Sequence, residues 1–176
     1  LPELEAFHAI FFPSWETGLA GARALVQAEL PLSLLRLSTP VETETTLRLA
    51  GHERMVAGLE RYLGLRGLGD ERCMLLLGVA GREAVAKLAR REALGIASAH
   101  GGLHLGRQLG KQWHASRFRT PYLRNSLWEA GYAVDTLETA TTWESIPAMV
   151  AAIEAAIQGA ISAQGERAHL FTHLSH

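Results

Sequence analysis

Three arginines stand around the start of a predicted helix. Arg117, Arg119 and Arg124 lie in the stretch RFRTPYLRNSLWEAG, residues 117 to 131. Thr120 is a suitable N-cap for this helix, and Pro121 suits its first position. A helix N-terminus carries roughly half a positive charge, so cations there oppose the helix dipole unless an anion lies among them. The pattern indicates either an anion site or three solvated surface arginines.

Arg124 has the most informative neighbour of the three. Trp128 follows it by four residues, so both side chains share one ridge of the helix and the indole can hold the guanidinium in place. The planar guanidinium matches a carboxylate or a phosphate with two parallel hydrogen bonds, and free amides at the helix start add donors. Arg124 is therefore the candidate ligand for a small anionic substrate.

The eight histidines do not form a predicted metal site. His100 and His104 are four residues apart, but the glycine pair between them disfavours the helix that would bring their imidazoles together. His173 and His176 are three apart in a predicted strand, where odd separations point to opposite faces. No metal is expected.

The residues show no self-sufficient catalytic set, and catalytic residues stay unassigned. Cys73 lies in the apolar run CMLLLGVAG, where a thiol packs as a small buried hydrophobe. No serine stands in a Gly-x-Ser-x-Gly elbow. The turn GVAGREA lacks the third glycine of a dinucleotide-binding turn, so it is expected to be an ordinary strand-to-helix connection.

Length and composition indicate one globular domain. The chain has 176 residues, a net charge of -1 and 48% hydrophobic residues, enough for a real core. A pI near 6.8 gives no electrostatic reason to expect nucleic acid. A single cysteine fits a reducing compartment, and neither a signal sequence nor a transmembrane segment is predicted, so we expect a cytoplasmic protein.

Apolar periodicity and turn residues predict alternating strands and helices. The predicted strands cover residues 4–12, 32–40, 72–81, 132–143 and 167–176. The predicted helices cover residues 14–30, 53–64, 82–95, 120–131 and 144–165, while residues 41–51 are expected to be loop or edge. A glycine-rich insert at residues 96–120 has room only for a short helix at 106–118.

This alternation predicts the fold class. Split β-α-β units joined in one antiparallel sheet, with helices on one face, give an α+β fold of the ferredoxin-like type, extended here by the glycine-rich insert. A doubly wound parallel sheet is the competing architecture, but no strand is followed by its glycine pattern.

Several stretches together resemble a known family. FPSWETGLAGARALVQAELPLSLLRL, GRQLGKQWHASRFRTPYLRNSLWEAGYAVDTLETATTW and RAHLFTHLSH are similar to the C-terminal cap domain of FAD-linked oxidases of the vanillyl-alcohol-oxidase superfamily, and most of all to the alkyldihydroxyacetonephosphate synthase branch. The likeness covers nearly the whole chain. Its most specific residues, in order, are Gly110-Lys111, Tyr122, Arg124, Gly131, Glu138-Thr139 and Trp143.

The resemblance implies a fragment of a longer flavoprotein. Residues 1–176 would be a single substrate-binding cap domain with a ferredoxin-like core, folded over the flavin ring. FAD would be bound mainly by an N-terminal domain that is absent from this sequence, so the isolated fragment is expected to be inactive. The partners implied are that FAD domain and a small anionic substrate carrying a phosphate or carboxylate, with a homodimer possible.

The resemblance also implies an activity. In the synthase, acyl-for-alkyl exchange on a flavin adduct makes ether lipids without net redox. In related enzymes a 2-hydroxy acid such as lactate or glycolate is dehydrogenated, which is the alternative for this chain. A non-catalytic ferredoxin-like module that binds a small anion is an alternative of another class.

The same resemblance implies four substrate-binding residues. The arginine of the family's Tyr-x-Arg motif holds the substrate phosphate, and Arg124 occupies its place, with Tyr122 two residues before it. The HLSH strand matches the family strand that leads to the pocket, so His173 and His176 are expected to line it. Asn125 stands where the family often has an acid beside the arginine.

Overall fold

The computed structural model describes residues 2–49, 53–106 and 120–175. The chain divides into two compact units, one formed by Leu1–Gly110 with His169–His176 and the other by Lys111–Ala168. The expectation that residues 1–176 form a single domain stays a prediction.

The first unit is built on a five-stranded antiparallel sheet, as the α+β prediction requires. The strand order is β4-β1-β3-β2-β5, which begins with the order of two split β-α-β units and adds β5 beside β2. The ferredoxin-like prediction is therefore confirmed. The strands are β1 (Leu4–Phe12), β2 (Leu32–Ser38), β3 (Cys73–Gly81), β4 (Leu103–His104) and β5 (His173–Ser175).

One face of this sheet forms the core with two helices, α1 (Trp15–Gln27) and α4 (Glu83–Ala99). Ile10, Leu75 and Leu37 are paired across β1, β3 and β2 and are fully buried. The apolar run of β3 is buried because it lies between two neighbouring strands and under helices.

Small residues let α1 approach the sheet closely. A Cβ on Gly18 would lie 2.9 Å from a Leu37 methyl, and one on Gly21 would lie 2.8 Å from the Phe12 ring. The helix begins after Ser14, whose side chain caps the Thr17 amide, while the Thr17 hydroxyl accepts from the Ser14 amide. This reciprocal cap confirms the helix start at Ser14.

Two helices connect β2 to β3. They are α2 (Pro40–Leu49) and α3 (Glu53–Leu65). The prediction of loop or edge at residues 41–51 was wrong for the described part, because Pro40 opens a helix and the Thr43 amide donates to the Thr39 carbonyl. The Thr43 hydroxyl accepts a hydrogen bond from the Met74 amide, and this bond attaches α2 to the start of β3.

The helix α4 continues past the glycine that was expected to end it. Gly95 lies inside α4, and the chain leaves the helix at His100 and Gly101. Gly101 has a φ of +81°, the left-handed conformation that glycine adopts without steric cost. The short helix predicted at residues 106–118 and most of the glycine-rich insert lie outside the described residues.

The second unit contains two α-helices in its described part, α5 (Thr120–Glu129) and α6 (Ile146–Ala163), with a 3₁₀ turn at Trp143–Ser145. The predicted exit of α5 is confirmed: Gly131 has a φ of +87°, and its amide donates to the Trp128 carbonyl. The strand predicted at residues 132–143 was wrong, since this segment is irregular and mostly exposed. Likewise, only His173–Ser175 of the predicted strand 167–176 is a described strand.

One helical stretch bears on the expected absence of a membrane segment. Trp143–Ala163 is long and apolar enough to cross a membrane when length and composition alone are considered. A single helix of this kind is weak evidence for a span, so the absence of a transmembrane segment stays a prediction.

Candidate functional site

Arg124 is held in place by two neighbours within the second unit. Its guanidinium carbon lies 4.6 Å from the centre of the Trp128 ring, which confirms the stacking expected from their spacing. One guanidinium nitrogen, Nη2, donates to the Val134 carbonyl at 3.3 Å. The side chain is exposed, so the guanidinium is oriented by protein groups while part of its donor edge faces solvent.

The first turn of α5 contains no acidic residue that could pair with Arg124. Arg124 lies in the second turn of the helix, and no ion pair to it is present among the described residues. Tyr122 lies in the first turn, but its side chain falls outside the described part. Arg117 and Arg119 also lie outside the described residues, so their grouping with Arg124 stays a prediction.

His173 belongs to a second charged cluster, in the first unit. Its Nδ1 lies 3.2 Å from Oε1 of Glu42, and the same oxygen accepts from Nη2 of Arg36 at 2.5 Å. The three residues come from β5, α2 and β2, on the sheet face opposite α1 and α4. We call this group the Glu42 cluster. The sequence prediction included His173 but missed Glu42 and Arg36.

Glu42 is ionised in this cluster although its side chain is only 3% exposed. Burial raises the pKa of the Glu42 carboxyl, but the hydrogen bond with His173 and the Arg36 charge outweigh it, so the pKa lies below its usual value. An ionised carboxylate can only accept hydrogen bonds. Nδ1 of His173 therefore carries a proton, and Nε2 is the ring nitrogen left for other partners.

The remaining histidine predictions have separate outcomes. His176 lies outside the described residues. His100 follows the last residue of α4, whereas His104 lies in β4 and contacts His8, with 3.0 Å between His8 Nδ1 and His104 Nε2. Within residues 2–49, 53–106 and 120–175, no group of three or more His, Cys, Asp or Glu side chains could hold a metal ion.

The His8–His104 contact predicts an acid-sensitive edge of the sheet. Burial lowers the pKa of His104 below its usual 6.5; the Arg90 charge acts in the same direction, and a backbone hydrogen bond with Gly106 opposes both. The folded state thus binds this proton more weakly than the unfolded chain does. Stability is expected to fall as the pH drops below about 6.5.

The free energy of unfolding is expected to be lower at pH 5 than at pH 7.5 in the wild type. In His104→Gln this difference should be smaller, because the group that takes up the proton is absent. Urea denaturation at both pH values measures it. His169→Gln is the matched control, because His169 is exposed and hydrogen-bonded to Thr45. An equal pH dependence in wild type and His104→Gln would contradict the role of His104.

Cys73 has no nucleophilic role in this geometry. The residue is fully buried at the start of β3. Burial, helped by the negative charges of Glu16 and Glu71, raises the pKa of its thiol to about 12. A thiol in this state stays protonated at neutral pH, which agrees with the prediction of an inert core cysteine.

The strand-to-helix turn before α4 does not fit the pyrophosphate of a dinucleotide. The Glu83 amide, at the N-terminus of α4, donates to the Glu3 carboxylate at 3.1 Å. A carboxylate therefore occupies the position that a phosphate would need. This agrees with the missing third glycine in GVAGREA.

Known proteins share both the sequence pattern and the fold. The family model of FAD-linked oxidases, C-terminal domain, matches residues 1–176. Alkyldihydroxyacetonephosphate synthases of Dictyostelium discoideum and Trypanosoma brucei brucei are 22% and 21% identical to the chain over 183 residues. These alignments cover 100% of this chain but only 30% of each relative.

Two solved structures of alkyldihydroxyacetonephosphate synthase, in space groups P212121 and P1, match the chain with TM-scores of 0.87 and 0.88 at 21% and 22% identity. They are covered to 33% and 34% of their length, while this chain is covered completely. At such identities the structural likeness establishes the fold. The family match over all 176 residues goes further: the chain belongs to the FAD-linked oxidases, as their C-terminal domain.

Proposed function

We propose that this chain is the substrate-binding cap of an FAD-dependent enzyme similar to alkyldihydroxyacetonephosphate synthase, and that Arg124 binds the anionic group of the substrate. The observation that carries the proposal is the geometry of Arg124. Its guanidinium is stacked on Trp128 and anchored to the Val134 carbonyl, yet it is exposed.

Preorganisation is the physical reason to favour Arg124. A free arginine side chain loses rotamer entropy when it binds an anion, whereas a stacked and anchored one has already lost part of it. The anchor uses Nη2, and the remaining N–H donors of the planar group can meet two oxygens of a phosphate or carboxylate. No carboxylate on the first turn of α5 competes for them.

Family membership implies that the full-length protein uses FAD. We propose that the cofactor is held by a part of the protein outside this chain, because the turn before α4 is occupied by the Glu3 carboxylate. FAD would supply the reactive ring, and this chain would bind the substrate, orient it and limit the access of water. The chain spans about 30% of the length of its relatives, which leaves room for such a domain.

The chemistry of the substrate has two candidates that share an anionic group. A phosphate ester fits the likeness to the alkyldihydroxyacetonephosphate synthases, whose name refers to a phosphate ester. A 2-hydroxy acid would present a carboxylate to the same guanidinium. A free-standing anion-binding module is the weaker candidate, because the whole chain matches a domain of FAD-linked enzymes.

Replacing Arg124 by alanine is expected to weaken substrate binding about 10- to 100-fold, because a charge-assisted hydrogen-bonding pair is lost. The measurement is anaerobic flavin absorbance of the full-length protein, titrated with acyl-dihydroxyacetonephosphate and with D- and L-2-hydroxy acids. Arg66→Ala is the matched control, since Arg66 lies 5.8 Å from the Tyr62 ring and donates to its hydroxyl.

The outcomes separate the candidates. Bleaching of the flavin by a hydroxy acid would identify a dehydrogenase, whereas a spectral change with the acyl phosphate alone would support the synthase activity. If Arg124→Ala binds the active compound as tightly as the wild type and Arg66→Ala do, Arg124 is not the anion ligand.

A further inference from the structure

A small cavity lies between α4 and the sheet in the first unit, with a volume of about 180 Å³. Its apolar wall is formed by Leu4 and Ala6 of β1, Val79 of β3 and Ala86 of α4. Ala6 and Val79 are paired across the two strands, and Ala86 is fully buried in the helix that packs on them. The alanine side chains are too short to fill the space between helix and sheet, so an apolar cavity remains.

The polar side of the cavity is one face of α4. Glu83, Lys87 and Arg90 line it, and their spacing of four and three residues places them in one row on the helix. Glu83 and Lys87 form an ion pair of 2.6 Å, so together they add no net charge. Arg90 therefore supplies the net positive charge of the cavity.

Arg90 has a buried donor that lacks an acceptor. Its Nε is enclosed, and no hydrogen bond or ion pair to the guanidinium is present among residues 2–49, 53–106 and 120–175. A donor that has lost water without gaining an acceptor is unfavourable, and a ligand oxygen relieves that cost. The planar guanidinium can offer Nε–H and a neighbouring N–H to the two oxygens of one carboxylate.

We propose that this cavity binds a small monocarboxylate, with the carboxylate on Arg90 and an apolar body of about six carbon atoms between α4 and the sheet. The size follows from the volume, since a dry cavity of roughly 150 Å³ holds one benzene molecule. The inference does not rest on the proposed function, because the cavity belongs to the first unit and Arg124 to the second.

The charges around Arg90 select a monocarboxylate over a phosphate. The hydrogen bond and the charge of Lys87 lower the pKa of Glu83, so a second carboxylate lines the cavity at neutral pH and repels a dianion. Burial and the Arg90 charge lower the pKa of His104, against a backbone hydrogen bond with Gly106, so this neighbour adds no positive charge at pH 7.5. A phosphate also has no apolar group to fill the cavity.

The test is isothermal titration calorimetry of the full-length flavoprotein at pH 7.5 and fixed ionic strength. The probes are hexanoate, its shorter and longer homologues butanoate and octanoate, the neutral analogue hexan-1-ol, and inorganic phosphate. The variants are Arg90→Gln, which removes the charge, and Ala86→Leu, which fills the cavity. Arg91→Gln is the matched control, since Arg91 is the next residue of α4 and is exposed.

Hexanoate is expected to bind the wild type about 10- to 20-fold more tightly than butanoate, because two more methylenes are buried. Octanoate should gain no more than about twofold over hexanoate, since the cavity is then full. Arg90→Gln should weaken hexanoate about 10- to 100-fold and remove its advantage over hexan-1-ol. Ala86→Leu should weaken both compounds, while Arg91→Gln behaves as the wild type.

Three results would overturn the proposal. The first is a wild type that binds hexanoate no more tightly than hexan-1-ol or phosphate. The second is wild-type affinity in Arg90→Gln, which decides the matter even if Ala86→Leu does not fold. The third is weaker hexanoate binding in Arg124→Ala but not in Arg90→Gln, which would assign the acid to the second unit.

Discussion

Phe12→Ala is expected to lower the free energy of unfolding by about 3–5 kcal/mol, the usual cost of removing a buried aromatic side chain. Phe12 is the last residue of β1 and is fully buried. Its ring lies against Gly21 of α1 and against Gly102, just before β4. Removal of the ring would leave a cavity among three elements that cannot close together, since their backbones are fixed by the sheet and the helix.

The loss would be measured by urea denaturation of wild type and variant side by side, as a lower transition midpoint at unchanged slope. Phe171→Ala is the matched control, because Phe171 is 48% exposed and should change stability by less than about 0.5 kcal/mol. Equal effects of the two substitutions would show that the Phe12 contact does not stabilise the core.

Two glycine-to-alanine changes are expected to have opposite signs. A Cβ on Gly102 would lie 2.7 Å from the Ala97 carbonyl oxygen and 2.9 Å from a methyl of Ile10. The Gly102 amide donates to that same oxygen at 2.8 Å, so the backbone cannot move away without losing a hydrogen bond. Gly102→Ala should therefore cost about 1–3 kcal/mol of stability.

Gly95→Ala should instead stabilise the protein by about 0.4–1 kcal/mol. Gly95 lies inside α4, and a Cβ there would meet nothing within 4 Å. Alanine restricts the unfolded chain more than glycine does and favours the helix. Thermal denaturation of both variants tests the pair, and a stability loss in Gly95→Ala would mean that α4 ends near residue 95 in solution.

The three central strands, β1, β2 and β3, could be predicted from the sequence because they carry strong local signals, whereas the two-residue strand β4 lies in the stretch that was expected to be a glycine-rich insert. The apolar runs that became β1 and β3 are bounded by turn residues, and their order follows from the alternation with helices. The helix α2 was missed because four of its first eight residues are threonine or valine, which favour strands. Thr39, Pro40 and Glu42 in sequence were the contrary signal of a helix start.

The two groups of candidate residues, one in each unit, also differ in how far the sequence predicts them. Arg124 and Trp128 are four residues apart on one helix, so their contact follows from helical geometry alone. The contact between Glu42 and His173 spans 131 residues and depends on β5 joining the sheet beside β2. No local pattern encodes such a pairing, and the failure to predict α2 removed the only element that could have pointed to Glu42.

The enclosed thiol of Cys73 gives the chain a built-in reporter of unfolding. With its pKa raised to about 12 and no exposed surface, it cannot react with an alkylating reagent while β3 keeps its neighbours. Alkylation of Cys73 requires the sheet to open. Because Cys73 is the only cysteine among the 176 residues, the rate of labelling reports how often the core opens. Cysteines introduced on the surface for dyes or spin labels would meet no competition from it in the folded state.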